Sequence, residues 1–181
     1  MNEVRQTFER LAGGLQKPVY NTAVRLAGNT EDGLELARET FVRAYSLYRA
    51  GRRAGAFRPW LYQLMIDLYH EQQILGAEAP AWIEGAAAGQ DSSGSSSDLR
   101  GLNLLQSHSA DERTVDEALA VLPVDLRATF LLCDMEGFSY AQIARILRCP
   151  VPSVAERVWD ARRLLRLAIR KQSTRRPPIE R

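Results

Sequence analysis

The sequence predicts an all-α protein: two small helical domains joined by a flexible linker. Three observations carry that prediction. Apolar residues recur at three- and four-residue intervals over residues 1–75 and again over 113–172. No segment alternates apolar and polar residues as a half-buried strand does. Between the two periodic stretches lies a Gly-, Ala- and Ser-rich segment, 76–112, whose run Gly89 to Ser97 has too little apolar surface to offset the entropy of ordering. The chain closes on a short tail, 173–181, that carries two prolines. With 181 residues, 45% hydrophobic and 25% charged, the composition is that of a globular protein. Each lobe is small enough to be only marginally stable alone, which suits a chain that works against a large partner.

The composition also excludes several classes. No apolar run is long enough to span a bilayer, and Met1 to Arg10 lacks a signal-peptide core, so no membrane insertion and a cytoplasmic location are expected. Cys133 and Cys149 fit no metal-ligand spacing, and two thiols make no disulfide framework; both read as core or near-core residues. His70 and His108 are unpaired, and no carboxylate pair is tied to a pocket. No enzyme activity, cofactor or metal is expected. The net charge is only +2, and nearly all of the positive charge is arginine, which suits bidentate pairing with phosphate or carboxylate.

The stretch EGFSYAQIARILRCPVPSVAERVWDARRLLRLAIRK is the most informative. Ser139 with Gln142 reads as a capping box, and Phe138 with Ile143 as the accompanying hydrophobic staple. Cys149, Pro150 and Pro152 break that helix, and Ser153 with Glu156 offers a second capping box. Val154, Val158, Ala161, Leu165 and Ala168 then form one apolar stripe, so two short helices meet across a tight turn. This is the plan of a helix-turn-helix, although a helical hairpin in a bundle has the same spacing. Opposite the stripe lie Ala155, Glu156, Trp159, Arg163, Arg166 and Arg170, with Arg162 flanking; such a face can contact phosphates or be merely solvated. Trp159 is its unusual member, since a large outward aromatic suggests a contact surface. Upstream, two helices separated near Pro123 supply Leu119, Leu122, Leu126, Phe130 and Leu131 as core.

From ALAVLPVDLRATFLL through MEGFSYAQIARIL to ARRLLR, this lobe resembles region 4 of extracytoplasmic-function sigma factors, group 4 of the sigma-70 family. The segment VYNTAVRLAGNTEDGLELARETFVRAYSLY resembles regions 2.1 and 2.2 of the same family, and FRPWLYQL the start of regions 2.3 and 2.4. The resemblance implies a sigma factor that binds core RNA polymerase through its β′ clamp helices and β flap, recognises promoter DNA and is held by an anti-sigma factor. It implies −35 contacts from Ser153, Arg157, Trp159, Arg162, Arg163 and Arg166. It implies −10 recognition and melting by Arg52, Arg53, Arg58, Trp60, Tyr62, Ile66 and Asp67, and polymerase docking by Asp32, Glu35, Leu36 and Glu39. Asp32, Glu35 and Glu39 at helical spacing also place carboxylates on one face, suited to a basic groove.

Three departures stand out. No Lys or Arg occurs between Arg58 and Arg100, and Asp67 stands where the family usually has Asn. The recognition helix carries Ala155, Glu156 and Asp160 where basic or small polar residues are commoner. Arg148 occupies a turn position the family usually gives to glycine; left-handed backbone there costs roughly 1 kcal/mol. Tyr62, Ile66, Tyr69 and Gln73 share one helix face that can stack on unpaired bases, bind a protein or pack on another helix of the same lobe. A second reading follows: a sigma-like mimic or adaptor that occupies an anti-sigma factor or polymerase without reading DNA.

Overall fold

The computed structural model describes residues 2–52, 55–76 and 112–175, and among these the chain is helical without strands. The N-terminal lobe comprises α1 (Asn2–Ala12), α2 (Gln16–Ala27), α3 (Thr30–Arg49) and α4 (Phe57–Gly76). The C-terminal lobe comprises α5 (Glu112–Ala120), α6 (Val124–Phe130), α7 (Tyr140–Ile146) and α8 (Val151–Arg175), with a π-helical turn over Leu131–Met135 following α6. The linker expected over 76–112 and the tail over 173–181 fall largely outside the described residues.

Local signals set the helix ends. Gly28 closes α2 in the left-handed region (φ 84°), and the Asn29 side chain accepts from the Asp32 amide to open α3. The corner lets α2 and α3 pack closely, with Gly33 against the backbone of Val24. An aromatic cluster of Phe8, Tyr45, Tyr48, Phe57 and Trp60 closes the lobe where α1, α3 and α4 meet.

α4 buries residues on more than one side, as a helix packed between neighbours does. Phe57, Leu61 and Leu68 are buried, with Phe57 in the aromatic cluster of its own lobe. Tyr62, Ile66 and Tyr69 are buried as well, and α4 packs against α7. The stripe is packed, but on a helix of the other lobe rather than on one of its own, which spacing along α4 does not reveal. Gln73 is exposed.

The lobes are thus closed on one another, with α2 against α5, α6 and the π turn. Arg127 is the main cross-link. Buried to 8% exposure, it donates to the carbonyl of Leu26 (2.8 Å) in one lobe and to those of Ala120 (2.9 Å) and Leu122 (3.0 Å) in the other. One guanidinium thereby satisfies carbonyls at the ends of α2 and α5, where a cation also complements the helix dipoles.

Candidate nucleic-acid interface

The turn between α7 and α8 is built as the sequence predicts at one end and differently at the other. Ser139 and Gln142 form a complete capping box. The second box, Ser153 with Glu156, does not form: α8 already begins at Val151, with the Val154 amide bonded to the Pro150 carbonyl (3.3 Å), so Ser153 sits inside the first turn. Pro152 is tolerated there because a first-turn residue needs no amide donor. Arg148 adopts φ 51°, the only positive φ outside glycine among the described residues.

On α8 the apolar stripe is buried through Val154, Val158, Ala161 and Leu165. The outer face presents Trp159, 62% exposed, with the Arg163 guanidinium 5.4 Å from its ring centroid. Arg163 also lies 3.9 Å from Asp160. Arg166 is half-buried further along the helix. Arg157 is half-buried beside Asp125 of α6 at 3.6 Å.

Arg162 differs from its expected placement. Its side chain is 15% exposed and forks onto Asp134 of the π turn, at 2.7 and 3.3 Å. In this arrangement it braces α8 against the turn rather than facing outward. Arg162→Ala should therefore lower stability by about 2 kcal/mol, because Asp134 is left half-buried without its cation. Arg163→Ala should stay within about 0.5 kcal/mol in stability. Paired urea melts check the contrast, and equal midpoints for the two variants would show that Arg162 braces nothing.

Cys133, beside this pair, has its thiol pushed up to about 11 by burial, with Asp134 adding to the effect. The folded state therefore holds the proton longer, and the stability it contributes is lost as pH rises from about 9 towards 11. In a Cys149→Ser background, disulfide-reagent labelling of the native protein at pH 8 should be about 100-fold slower than in urea.

The residues expected to open the −10 element are dispersed. Arg52 is exposed, and Arg53 lies outside the described residues. Trp60 is buried in the aromatic cluster. Tyr62 is fully buried edge-on to Phe138 (5.1 Å), and Ile66 is buried on the same face. The Tyr62 hydroxyl sits near Glu136 and Thr22 without a well-formed hydrogen bond, and burial raises its pKa well above the ordinary value. Arg58 donates to the Glu136 carboxylate (2.9 Å) and carbonyl (2.6 Å) and stacks over Phe138 at 4.2 Å. Asp67 is half-buried and accepts from Arg148 (2.7 Å); burial raises its pKa against the pull of that arginine. Two of the unusual residues, Asp67 and Arg148, are therefore partners.

Of the acidic set, Asp32 and Glu35 are exposed, and Glu39 is half-buried beside Gln72 (3.2 Å). Leu36 is fully buried and cannot form part of a docking surface in this arrangement. The exposed apolar residues of α3 are instead Leu34 and Val42, both 58% exposed. Asp32 and Glu35 line a cleft of about 310 Å³ with Ala27, Tyr69, Gln72 and Gln73. Among the described residues no helix is long and apolar enough to cross a membrane.

Fold and site together define a helix-turn-helix protein with a second, four-helix lobe folded against it. Residues 112–165 match the family model described as sigma-70, region 4. The RNA polymerase sigma-H factor of Pseudomonas aeruginosa is 26% identical over 175 residues, covering 91% of this chain and 87% of the relative. The ECF RNA polymerase sigma-E factor of Haemophilus influenzae is 26% identical over 164 residues, covering 89% and 86%. Among solved structures, the sigma factor RpoE from Bartonella quintana, crystallised with the anti-sigma factor NepR, shares the fold with a TM-score of 0.67. The two are 20% identical, over 91% of this chain and 98% of that one. Over most of its length the chain is thus similar to RNA polymerase sigma factors, the extracytoplasmic-function type among them, and residues 112–165 carry the region 4 match.

Proposed function

We propose that the chain is an alternative sigma factor, which binds core RNA polymerase and directs initiation at promoters whose −35 element is read by α8. The observation that carries the reading is the outer face of α8, where exposed Trp159 and Arg163 project from a helix-turn-helix whose entry is capped. An aromatic–guanidinium pair on a recognition helix offers an apolar surface for thymine methyls and sugars beside a cation for phosphate. Arg157 and Arg166 flank it, and Ser153 stands in the first turn. The carboxylates Asp32, Glu35 and Glu39 suit a basic groove on the polymerase clamp, with the β flap meeting the C-terminal lobe. An anti-sigma factor is a further partner on this reading, since a protein of the same fold was crystallised with one.

The test is transcription with purified core polymerase on a library of promoter fragments. Defined start sites that depend on this protein support the reading, and Arg163→Ala should weaken −35 binding without loss of fold. A second reading, a mimic that binds protein and not DNA, is favoured by the burial of Tyr62 and Ile66 on the α4 face. Polymerase or anti-sigma binding without start sites would establish it.

A further inference from the structure

The cleft of about 310 Å³ in the N-terminal lobe is framed by the end of α2, the start of α3 and the last turns of α4. Its lining holds the carboxylates of Asp32 and Glu35 and no lysine or arginine. Tyr69 sets it apart from an ordinary acidic patch. That residue lines the cleft and is only 5% exposed, yet its hydroxyl makes no hydrogen bond with another described residue. Burial raises its pKa and Asp32 adds to the effect against the pull of Arg127, so the hydroxyl is neutral and lies in the field of the Asp32 carboxylate. A buried hydroxyl ordinarily has a partner, and one that borders a cavity without one is open to a ligand.

The acceptors left over define the class of ligand. Asp32 gives Oδ2 to the Asn29 side chain (2.7 Å), and Glu35 gives Oε1 to Arg38 (3.5 Å). Each carboxylate thus keeps one oxygen without a donor among the described residues. Gln72 donates its amide to Glu39 (3.2 Å), which leaves its carbonyl oxygen as a further acceptor. A guanidinium pairs best with both oxygens of one carboxylate, whereas an ammonium takes one oxygen from each of several groups. Carboxylates at i and i+3 on a helix stand about 5–6 Å apart at their β-carbons, a spacing that two ammonium groups on a short methylene chain can match. Ala27 and the Tyr69 ring give those methylenes an apolar wall.

We propose that this cleft binds a small aliphatic diamine or polyamine, with its ammonium groups on Asp32 and Glu35, Tyr69 and Gln72 as further acceptors, and its methylenes against Ala27. Binding of the amine stands on the cleft alone. Its consequence rests on the reading of the chain as a sigma factor, in which Asp32 and Glu35 dock on polymerase. On that reading amine and polymerase compete for one face, and the apparent affinity for polymerase falls with the fraction of chains left free of amine.

The test is titration calorimetry of the full-length protein with 1,4-diaminobutane and with spermidine at about 0.15 M salt, where surface charge is screened. One saturable site with a dissociation constant of about 0.1–1 mM is expected. Tyr69→Phe and Glu35→Gln should each weaken it about tenfold, as should replacing the diamine by butylamine, because each removes one charge-assisted hydrogen bond. Thermal melts check that both variants keep the fold; Tyr69→Phe removes only a hydroxyl that has no protein partner. Absence of saturable binding by the isolated chain would overturn the site, and so would equal binding by Tyr69→Phe and wild type. Displacement by an equal concentration of magnesium chloride would reduce the cleft to charge alone, and tighter binding of free arginine would assign it to a guanidinium; either result sinks the diamine. Anisotropy of the labelled protein with core polymerase reads the competition, which Tyr69→Phe should relieve. Tyr69-dependent amine binding that leaves polymerase affinity unchanged would uphold the site and overturn docking through Asp32 and Glu35 instead.

Discussion

Arg127→Ala is expected to destabilise the protein by about 3 kcal/mol, because three backbone carbonyls lose their donor in an interior from which water is excluded. The partners are the carbonyls of Leu26, Ala120 and Leu122, and no second side chain stands ready to replace the guanidinium among the bonds described. In a chain of this size the loss corresponds to a fall in melting temperature of roughly 6–12 °C. Arg127→Lys should recover only part of it. An ammonium can donate three bonds, but it lacks the planar fork that reaches Leu26 on one side and Ala120 with Leu122 on the other. Because one of the three bonds crosses the lobes, scattering on the alanine variant should also show a more open molecule. A melting temperature within a degree or two of wild type would show that water enters and satisfies these carbonyls.

Gly33→Ala should cost a similar amount for an unrelated reason. A β-carbon there would lie 2.4 Å from the Val24 Cα and 2.8 Å from its amide nitrogen. These are backbone atoms that no rotamer change can move, so α2 and α3 must separate. Alanine is the better helix former by about 1 kcal/mol, but overpacking against backbone reverses the sign, and a net loss of about 3 kcal/mol is expected. Gly14→Ala is the control: nothing lies within 4 Å of its would-be β-carbon, and stability should hold within about 0.5 kcal/mol. If Asp32, Glu35 and Glu39 on α3 dock on polymerase as proposed, the Gly33 variant should also weaken that binding beyond what its melting temperature predicts. Equal melting temperatures for the two alanine variants would mean that the corner is looser than its geometry indicates.

Both residues illustrate what can be read from a sequence and what cannot. Asn29 and Asp32 advertise the start of α3 as Ser139 and Gln142 advertise that of α7, because capping chemistry is local. Arg148 could be suspected of a left-handed turn from its place between two helices, and it is left-handed. The failed second box at Ser153 shows the limit of that logic. Pro150 and Pro152 looked like breaks, yet proline is compatible with the first turn, so α8 starts before the serine that resembled its cap.

Side-chain roles were less legible. The resemblance implies surface roles for Leu36, Tyr62 and Ile66, but periodicity reveals only that a face is apolar, not whether solvent, a partner or the other lobe covers it. Arg162 was grouped with Arg163 by its position on the wheel, but its neighbour Asp134 lies 28 residues away in sequence. Arg58 and Arg148 likewise find their carboxylates 78 and 81 residues away.

The sequence by itself determined the helices, the capped helix-turn-helix and the outward Trp159, because each depends on contacts within a few turns of chain. Tertiary structure alone decided that the lobes close, that Arg127 joins them and that Glu136 takes Arg58. A charged side chain is indifferent in sequence to which opposite charge it meets. Only the packing of α4 and α2 against the C-terminal lobe brings those partners within hydrogen-bond reach and removes the water that would otherwise compete for them.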